Sequence, residues 1–313
     1  MDLIADIGAT NSRCALLDDK GRILSAEVFQ NELFSGVEAL LHAYLDHRRA
    51  SDRPRRAALA VAAPILGDDV DMVNIGWRFS QARLKESLGL HRLTVVNDFA
   101  ALAWALPGLD LEDRMQIGSG APMTRMPLAA IGPGTGLGVA CLAPTMDGWT
   151  ALSGEGGHVT LAAATSEEAT VIEVIRDETG HCSAERVLSG PGIVRLYIAL
   201  AKLAGRDVVE IKPADVTALA QRGEPLAGKT LAMFFSLLGT TAGNLALTVG
   251  ARGGVFIGGG IVPRVLDACA KSGFRDRFTA KGRYRDYLEG IPTYVITDPL
   301  PALRGLRTLL GYR

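Results

Sequence analysis

The sequence is poor in cysteine and in aromatic residues, and its charges nearly cancel. The four cysteines lie far apart and form no spacing that would bind a structural zinc ion, so we expect reduced thiols in the core of a cytoplasmic protein. The chain carries 33 Lys and Arg against 34 Asp and Glu, and aromatic residues make up 6%. Neither the basic charge nor the stacking side chains typical of nucleic-acid binding are present, so no nucleic-acid partner is expected.

No secretory signal is expected either, because the chain begins with the strand-like and acidic MDLIADIG. Two uncharged windows, Met126 to Met146 and Thr230 to Ala251, are as long as a membrane span. Prolines and glycines interrupt the first window, and several polar side chains lie in the second. We therefore expect no membrane association and interpret the second window as a buried helix of the larger domain; a membrane span there is the alternative.

The length of 313 residues and the apolar content of 48% fit about two domains with a large core. Strand and helix patterns alternate through the first third, which favours an α/β fold with a mixed sheet. The predicted strands are Leu3 to Ile7, Cys14 to Leu17, Ile23 to Phe29, AALAVAAPI (residues 57–65) and RLTVVND (residues 92–98), with a helix from about Val37 to Arg48.

A polar stretch from Pro107 to Pro127 is the predicted domain boundary. After a glycine-rich strand pair come predicted helices and a strand, and the chain from about Asp298 is predicted to be a helix. The segments Leu3 to Leu17 and Leu128 to Leu142 are both strand, glycine-bearing turn and strand, which indicates that the two halves share a plan. The predicted later elements are helices near residues 167–179, 192–204, 215–222 and 230–249 and a strand over residues 254–262.

The segment LTVVNDFAALAWALPG (residues 93–108) places Asn97 and Asp98 between an apolar strand and an alanine-rich helix. In open α/β sheets, ligands collect outside the carboxyl ends of the strands, so Asp98 is a candidate general base. The alternative is helix capping, because Asn and Asp are preferred at helix N-caps.

Two glycine-bearing turns join pairs of apolar strands. DIGATNSR (residues 6–13) offers backbone amides and a hydroxyl that suit phosphate oxygens, and GPGTGLG (residues 132–138) repeats the arrangement with Thr135 between glycines. An ordinary hairpin explains either turn alone, but the repetition favours two phosphate-binding hairpins. GEPLAGKT (residues 223–230) formally matches the P-loop pattern, yet a helix rather than a strand is predicted before it, so we do not expect a P-loop.

Two further loops carry polar side chains beside glycines. SGEGGHVTLA (residues 153–162) contains Glu155 and His158, and SAERVLSGPG (residues 183–192) contains Glu185. Exposed surface charges, or a structural histidine, are the alternative for each residue alone. Together with Asn97 and Asp98, the donors and acceptors suit a polyhydroxylated ligand.

Six segments in this order, DIGATNSR, VVNDF, GPGTGLG, GEGGH, SAERVLSGPG and GGVFIGGGIVPR, closely resemble the bacterial ATP-dependent glucokinases of the actin, hexokinase and sugar-kinase superfamily. The resemblance covers essentially the whole chain. It implies an α/β protein of the two-domain, actin-like (ribonuclease-H-like) ATPase fold with the active site in the interdomain cleft. The implied domains are a small α/β domain of residues 1–107 plus 298–313 and a larger α+β domain of residues 108–297.

The resemblance also implies a role for individual residues. Asp98 falls on the catalytic base, and Asn97, Asp98, Glu155, His158 and Glu185 fall on the positions that bind sugar hydroxyls. The nucleotide positions are Ala5, Asp6, Ile7, Gly8, Ala9 and Thr10 on the first hairpin, Gly132, Gly134, Thr135 and Gly136 on the second, and Gly258, Gly259 and Gly260 on the adenosine side. Because Ala5 and Ala9 replace glycines that are usual in the family, their methyl groups are expected near the phosphates. The protein alone is expected to hold no metal ion, with Asp6 helping to place hydrated Mg²⁺.

The implied reaction transfers the γ-phosphoryl group of ATP to the C6 hydroxyl of glucose, in the cytoplasm and in a homodimer. Another hexose as substrate, or polyphosphate as donor, are alternatives within the same class. A non-catalytic sugar sensor would need a DNA-reading module, for which no room is expected because the first hairpin starts near residue 3. An actin-like assembly protein would have no use for Glu155, His158 and Glu185.

Overall fold

The structure is a computed structural model and describes residues 1–46, 48, 53–207 and 210–312. The chain divides into two units, Met1–Leu109 with Asp298–Arg313 and Asp110–Thr297. The predicted division after residue 107 lies two residues before this boundary, and the second predicted boundary, at residue 298, is the same.

The first unit is built on a mixed five-stranded sheet of order β3-β2-β1-β4-β7. Strands β1, β2 and β3 form an antiparallel meander, and β4 and β7 continue it in parallel with β1. A separate hairpin consists of β5 and β6. The strands are β1 (Asp2–Ile7), β2 (Asn11–Leu17), β3 (Ile23–Gln30), β4 (Arg56–Val61), β5 (Asp69–Met72), β6 (Trp77–Ser80) and β7 (Arg92–Asn97), and the helices are α1 (Val37–Asp46), α2 (Gln81–Ser87), α3 (Asp98–Ala105) and the last helix of the chain, α12 (Pro301–Leu309).

The last helix belongs to the first unit, where it packs on α3 and on the sheet face that carries Ile4 and Ala60. The chain ends are joined through Asp2, which is 3% exposed. Its Oδ1 accepts from Nε of Arg56 at 3.1 Å, and its Oδ2 accepts from the hydroxyl of Tyr312 at 2.8 Å. Charge-assisted hydrogen bonds of this kind compensate the desolvation of a buried carboxylate.

The second unit repeats the plan of the first sheet and adds one edge strand, in the order β11-β10-β9-β12-β13-β8. Again an antiparallel meander, β11-β10-β9, is followed by two parallel strands, β12 and β13. The shared plan predicted for the two halves is therefore confirmed. The strands are β8 (Arg114–Ile117), β9 (Leu128–Pro133), β10 (Leu137–Thr145), β11 (Gly148–Gly154), β12 (Gly254–Ile257) and β13 (Thr293–Ile296), and the helices are α4 (Ser166–Thr179), α5 (Ala184–Val187), α6 (Gly190–Leu203), α7 (Pro213–Gln221), α8 (Pro225–Val249), α9 (Leu266–Ala270), α10 (Phe274–Thr279) and α11 (Arg285–Glu289).

Helix α8 is the central helix of the second unit. Over the described part of the chain it is the one helix long and apolar enough to span a membrane by length and composition. Its side chains Phe234, Phe235 and Leu238 are at most 1% exposed and belong to the main core cluster of this unit. A helix buried in this way needs no membrane to cover its apolar surface.

Several sequence-based bounds were wrong. Helix α8 starts at Pro225 rather than Thr230, because Glu224 caps it and accepts from the amide of Ala227 at 2.6 Å, while proline is favoured in a first turn. Strand β12 ends at Ile257 rather than Val262, because Gly259 takes a φ of +78° and breaks the extended backbone. The predicted helix over residues 37–48 ends at Asp46, and position 47 lies outside the described residues.

The polar stretch of residues 107–127 contains the division between the two units, after Leu109, and it also contains the edge strand β8 of the second sheet, which the sequence did not predict. Hydrophobic patterning did not identify this strand because two of its four residues, Met115 and Gln116, are exposed. The P-loop pattern at residues 223–230 is confirmed as a chance match. The helix α7 precedes it, Gly223 has a φ of +83°, and Pro225 to Thr230 are already helical.

Candidate active site

The first glycine-bearing turn, Gly8 to Thr10, joins β1 to β2 in the first unit. The amide of Gly8 donates to the carbonyl of Asn11 at 3.2 Å, which closes the turn. A side chain 4% exposed, Asn31, supports the turn: its Nδ2 donates to the carbonyl of Gly8 at 2.7 Å, and its own amide donates to the carbonyl of Thr10 at 2.9 Å. Sequence reasoning missed Asn31, since it lies about twenty residues away with no local signal.

The part of this hairpin that faces solvent is shorter than the predicted nucleotide segment. Ala5 and Ile7 are fully buried in a core cluster of the first unit, so the methyl group of Ala5 packs in this core rather than facing solvent. Strand alternation is the reason, because every second side chain of β1 points into that core. Ala9 and Thr10 instead line an open cavity of about 600 Å³ on this unit.

Asp6 lies on the opposite face of β1 from Ala5 and Ile7, and its side chain is 20% exposed. Its cross-strand neighbour is Arg13, whose Nη1 lies 3.6 Å from Oδ2 of Asp6. Burial raises the pKa of the Asp6 carboxyl above its ordinary value, and Arg13 opposes the rise. A carboxylate at the end of a strand beside a glycine turn is suited to contact a hydrated cation.

Asn97 is the last residue of β7, and Asp98 is the first residue of α3. The Oδ1 atom of Asn97 accepts hydrogen bonds from the amides of Phe99 at 2.9 Å and Ala100 at 3.4 Å, so Asn97 is the helix N-cap. Oδ1 of Asp98 also accepts from the amide of Phe99, at 2.9 Å. The capping alternative thus applies mainly to Asn97, and the half-buried Asp98 is held at the carboxyl end of a parallel strand, where a base for a bound ligand is expected.

The second glycine-bearing turn joins β9 to β10 in the second unit. Thr135 is exposed at its tip, and the amide of Gly134 donates to the carbonyl of Gly136 at 2.8 Å. The first residue of α6, Gly190, donates its amide to the carbonyl of Gly134 at 2.8 Å. The amino end of a 14-residue helix therefore adjoins the turn, and helix amino ends favour anions.

The glycines 258–260 follow β12 and pack directly against this second hairpin. The amide of Gly258 donates to the carbonyl of Ile131 at 2.9 Å. A Cβ on Gly259 would overlap the carbonyl group of Pro133, so glycine is required there for two backbones to approach. Two of the predicted nucleotide-binding segments, distant in sequence, are thus neighbours within the second unit.

The polar side chains Glu155, His158 and Glu185 lie together, also in the second unit. Nε2 of His158 is 3.9 Å from Oε2 of Glu155 and 4.0 Å from Oε1 of Glu185. Two backbone links join their loops: the amide of Leu161 donates to the carbonyl of Cys182 at 3.0 Å, and the amide of Ala184 donates to the carbonyl of Val159 at 2.9 Å. The three side chains are 32% to 62% exposed and form a polar cluster that can bind hydroxyl groups.

This cluster is joined to the second hairpin. The amide of Leu137 donates to Oε2 of Glu185 at 2.9 Å. Sequence reasoning proposed both segments but could not connect them, because the two residues are 48 positions apart.

Two sheets with the same order of meander and parallel strands, each followed at its carboxyl edge by glycine turns and polar side chains, define the actin-like sugar kinase class. The sequence model of the Glucokinase family matches residues 3–312. The chain therefore belongs to the glucokinase family.

Similarity to known glucokinases in sequence and in structure supports this family membership. A glucokinase of Paramagnetospirillum magneticum is 46% identical over 312 residues, which are 99% of this chain and 97% of the relative. The crystal structure of a glucokinase from an Antarctic psychrotroph matches with a TM-score of 0.90 and 38% identity, and the match covers 100% of this chain and 99% of the other. A ROK family glucokinase from Streptomyces griseus, solved in complex with glucose and AMPPNP, shares the fold with a TM-score of 0.66 at 20% identity, covering 98% of each chain.

Proposed function

We propose that this protein is a glucokinase that transfers the γ-phosphoryl group of ATP to the C6 hydroxyl of glucose, giving glucose 6-phosphate and ADP. The observation that carries the proposal is the hydrogen-bonded junction between the Glu155, His158 and Glu185 cluster and the second glycine hairpin. It joins a group suited to sugar hydroxyls to a turn suited to phosphates. Family membership and the glucokinase relatives support the same reaction.

Sugar binding is assigned to Asn97 and Asp98 of the first unit and to Glu155, His158 and Glu185 of the second. Carboxylates accept from hydroxyl groups, while the Asn97 amide and the His158 ring can also donate. Nδ2 of Asn97 lies 3.4 Å from the carbonyl of Ala63, a long contact that a sugar hydroxyl could replace. A site that bonds each hydroxyl discriminates against sugars that lack one or carry it in another orientation.

Nucleotide binding is assigned to Gly8, Ala9 and Thr10 on the first hairpin, to Gly132, Gly134, Thr135 and Gly136 on the second, and to Gly258, Gly259 and Gly260. Glycine turns let phosphate oxygens approach backbone amides. Asp6 fits Mg²⁺, which usually binds through one or two carboxylates, water and substrate phosphates. When bound, Mg²⁺ supplies positive charge that offsets the charge of the phosphate oxygens.

Asp98 is the proposed general base. Its carboxylate accepts the proton of the C6 hydroxyl as that oxygen bonds to the γ-phosphorus and the bond to the β-phosphate oxygen breaks. Phosphoryl transfer passes through a loose transition state, so most of the rate comes from positioning and charge stabilisation. The hydrogen bond from Phe99 to Oδ1 of Asp98 orients the carboxylate at the start of α3.

We also propose that the protein works in the cytoplasm as a homodimer. The buried thiols of Cys14, Cys141, Cys182 and Cys269 suit a reducing compartment. The dimer rests on the family resemblance. Light scattering of the purified protein during size-exclusion chromatography tests it, and a monomeric mass at micromolar concentration would refute it.

A coupled phosphorylation assay over a panel of hexoses, with ATP or polyphosphate as donor, tests the proposed reaction. We expect the highest kcat/KM with glucose and ATP. If mannose, fructose or N-acetylglucosamine is turned over in preference to glucose, the proposed sugar substrate is wrong. If polyphosphate is used in preference to ATP, the proposed phosphoryl donor is wrong. Glucose binding without turnover would indicate a sugar sensor.

A further inference from the structure

Gly136 lies beneath the carboxylate of Glu185. An ideal Cβ on Gly136 would overlap Oε2 of Glu185 and lie 3.2 Å from its Cδ. The φ of Gly136 is outside the left-handed region, so its backbone does not require glycine. A side chain at position 136 would therefore require the Glu185 carboxylate to move from this place.

The second glycine beside Thr135 differs. Among the described residues, no atom beyond its two chain neighbours lies within 4 Å of an ideal Cβ on Gly134. The φ of Gly134 is also outside the left-handed region. Both glycines leave the tip of the hairpin open for a phosphate group. Gly136 in addition leaves the space that Glu185 occupies.

The amide next to Gly136 holds the carboxylate in this space. Leu137 is 5% exposed, and its amide donates to Oε2 of Glu185 at 2.9 Å. The other oxygen, Oε1, is the one that faces His158. With Oε2 occupied by the hairpin, Oε1 is the oxygen directed into the polar cluster.

We propose that Gly136 and the amide of Leu137 form a seat for Glu185, so that the second hairpin positions a sugar-binding carboxylate in addition to binding the nucleotide. This inference rests on the proposed function, in which Glu185 binds glucose. Gly136 is a positioning residue here, since it acts on the sugar through Glu185. The hairpin then affects glucose affinity even when no nucleotide is bound.

Gly136→Ala adds one methyl group in the space of the carboxylate. We expect the Kd for glucose, measured by calorimetry without nucleotide, to rise about 10-fold or more, because Glu185 loses both its place and its hydrogen bond. Gly134→Ala is the matched variant, with the same added methyl group on the same turn and no contact with Glu185. Its glucose Kd is expected to stay within about twofold of wild type, although its KM for ATP is expected to rise.

A double-mutant cycle with Glu185→Ala separates the inference from the proposed function. Glu185→Ala alone is expected to weaken glucose binding. In that background Gly136→Ala is expected to add less than about twofold, because the carboxylate it displaces is absent. If Glu185→Ala leaves glucose affinity unchanged, the proposed role of Glu185 is wrong; if Glu185→Ala weakens binding but Gly136→Ala does not, or if the two effects multiply, the seat is wrong.

Should Gly136→Ala fail to fold, ligand-free melting of two Glu185 variants tests the same contact. Gln keeps a side-chain oxygen that accepts from the Leu137 amide, whereas Ala leaves this amide without that partner. We expect Glu185→Ala to melt at a lower temperature than Glu185→Gln. Equal melting temperatures would contradict the seat.

Discussion

Oδ1 of Asn97 accepts a hydrogen bond from the backbone amide of Phe99 at 2.9 Å, so it is Asn97 that caps helix α3. The cap fixes where the helix begins, and therefore where Asp98, its first residue, is held. The sequence alone does not assign different roles to these two adjacent polar residues, but the structure distinguishes them. Asn97 caps the helix in addition to its proposed contact with the sugar, and Asp98 is the proposed base.

Substitution of Asn97 separates these roles. Asn97→Ala removes the cap and is expected to lower the free energy of unfolding by about 1 kcal/mol and to raise the glucose KM. Asn97→Ser keeps a capping oxygen but loses the amide donor, so we expect near wild-type stability with a raised glucose KM. Urea unfolding and steady-state kinetics measure the two effects. A normal glucose KM in the serine variant would refute the sugar contact.

Asp98→Asn keeps the shape of the side chain and removes its basicity. We expect kcat to fall by about 10² to 10⁴-fold, the range for a positioned general base, while glucose affinity is largely retained. Steady-state kinetics together with calorimetric glucose binding measure both quantities. A kcat near that of wild type would exclude Asp98 as the base.

Glu155→Ala is expected mainly to raise the glucose KM, since a site that bonds hydroxyls loses an acceptor while the phosphates are bound elsewhere. Glu167→Ala is the control. Glu167 is similarly exposed, at 53%, and pairs with Lys229 on another part of the same unit. We expect unchanged kinetics for the control. An equal KM for glucose in the Glu155 variant and in wild type would contradict the assignment.

Gly305 of α12 lies against α3, and an ideal Cβ on it would overlap the carbonyl oxygen of Ala101. Gly305→Ala is therefore expected to destabilise the protein by about 3 kcal/mol, although alanine is the better helix former. Gly228→Ala in α8 is the matched control, because no described surrounding atom lies within 4 Å of its added Cβ. The control is expected to stabilise by about 0.5–1 kcal/mol. Denaturant unfolding measures the change in the free energy of unfolding for both variants. If Gly305→Ala stabilises the protein, helices α3 and α12 do not approach each other this closely.

The four cysteines are expected to resist thiol reagents in the native protein. Burial raises the pKa of Cys141 to about 11 and that of Cys269 to about 12, and it also raises the pKa of Cys14 and Cys182. At about pH 8, below these raised values, the thiols stay protonated, and the thiolate is the reactive form. Titration with a disulfide reagent should therefore label all four thiols after unfolding and react only slowly before it. Rapid labelling of the native protein would contradict the buried positions.

Much of the fold followed from local patterns. The strands of the first meander and strands β9 and β10 of the second were predictable because apolar runs end at glycine turns, and the internal similarity predicted one plan for two sheets. Strand β11 was not predicted, because most of its residues are exposed. Strand β8 was not predictable, because half of its residues are exposed at a sheet edge and carry no strong hydrophobic signal. The start of α8 at Pro225 depends on capping by Glu224, a contact that hydrophobic periodicity does not reveal.

The chemical types of the proposed site residues were predictable, but their contacts were not. Nothing local links Asn31 to the first hairpin, or Glu185 to Leu137 across 48 positions. Such pairs are created by strand register and loop packing. The side chain of Ala5 enters the core because of its place in the alternation of β1.

The most direct test of the central claim is a measurement of the products that the purified protein forms from glucose, ATP and Mg²⁺. We expect glucose 6-phosphate and ADP in equal amounts, with the phosphoryl group on the C6 oxygen as identified by nuclear magnetic resonance. ADP formed without sugar phosphate, phosphorylation at another hydroxyl, or no turnover of glucose would contradict it.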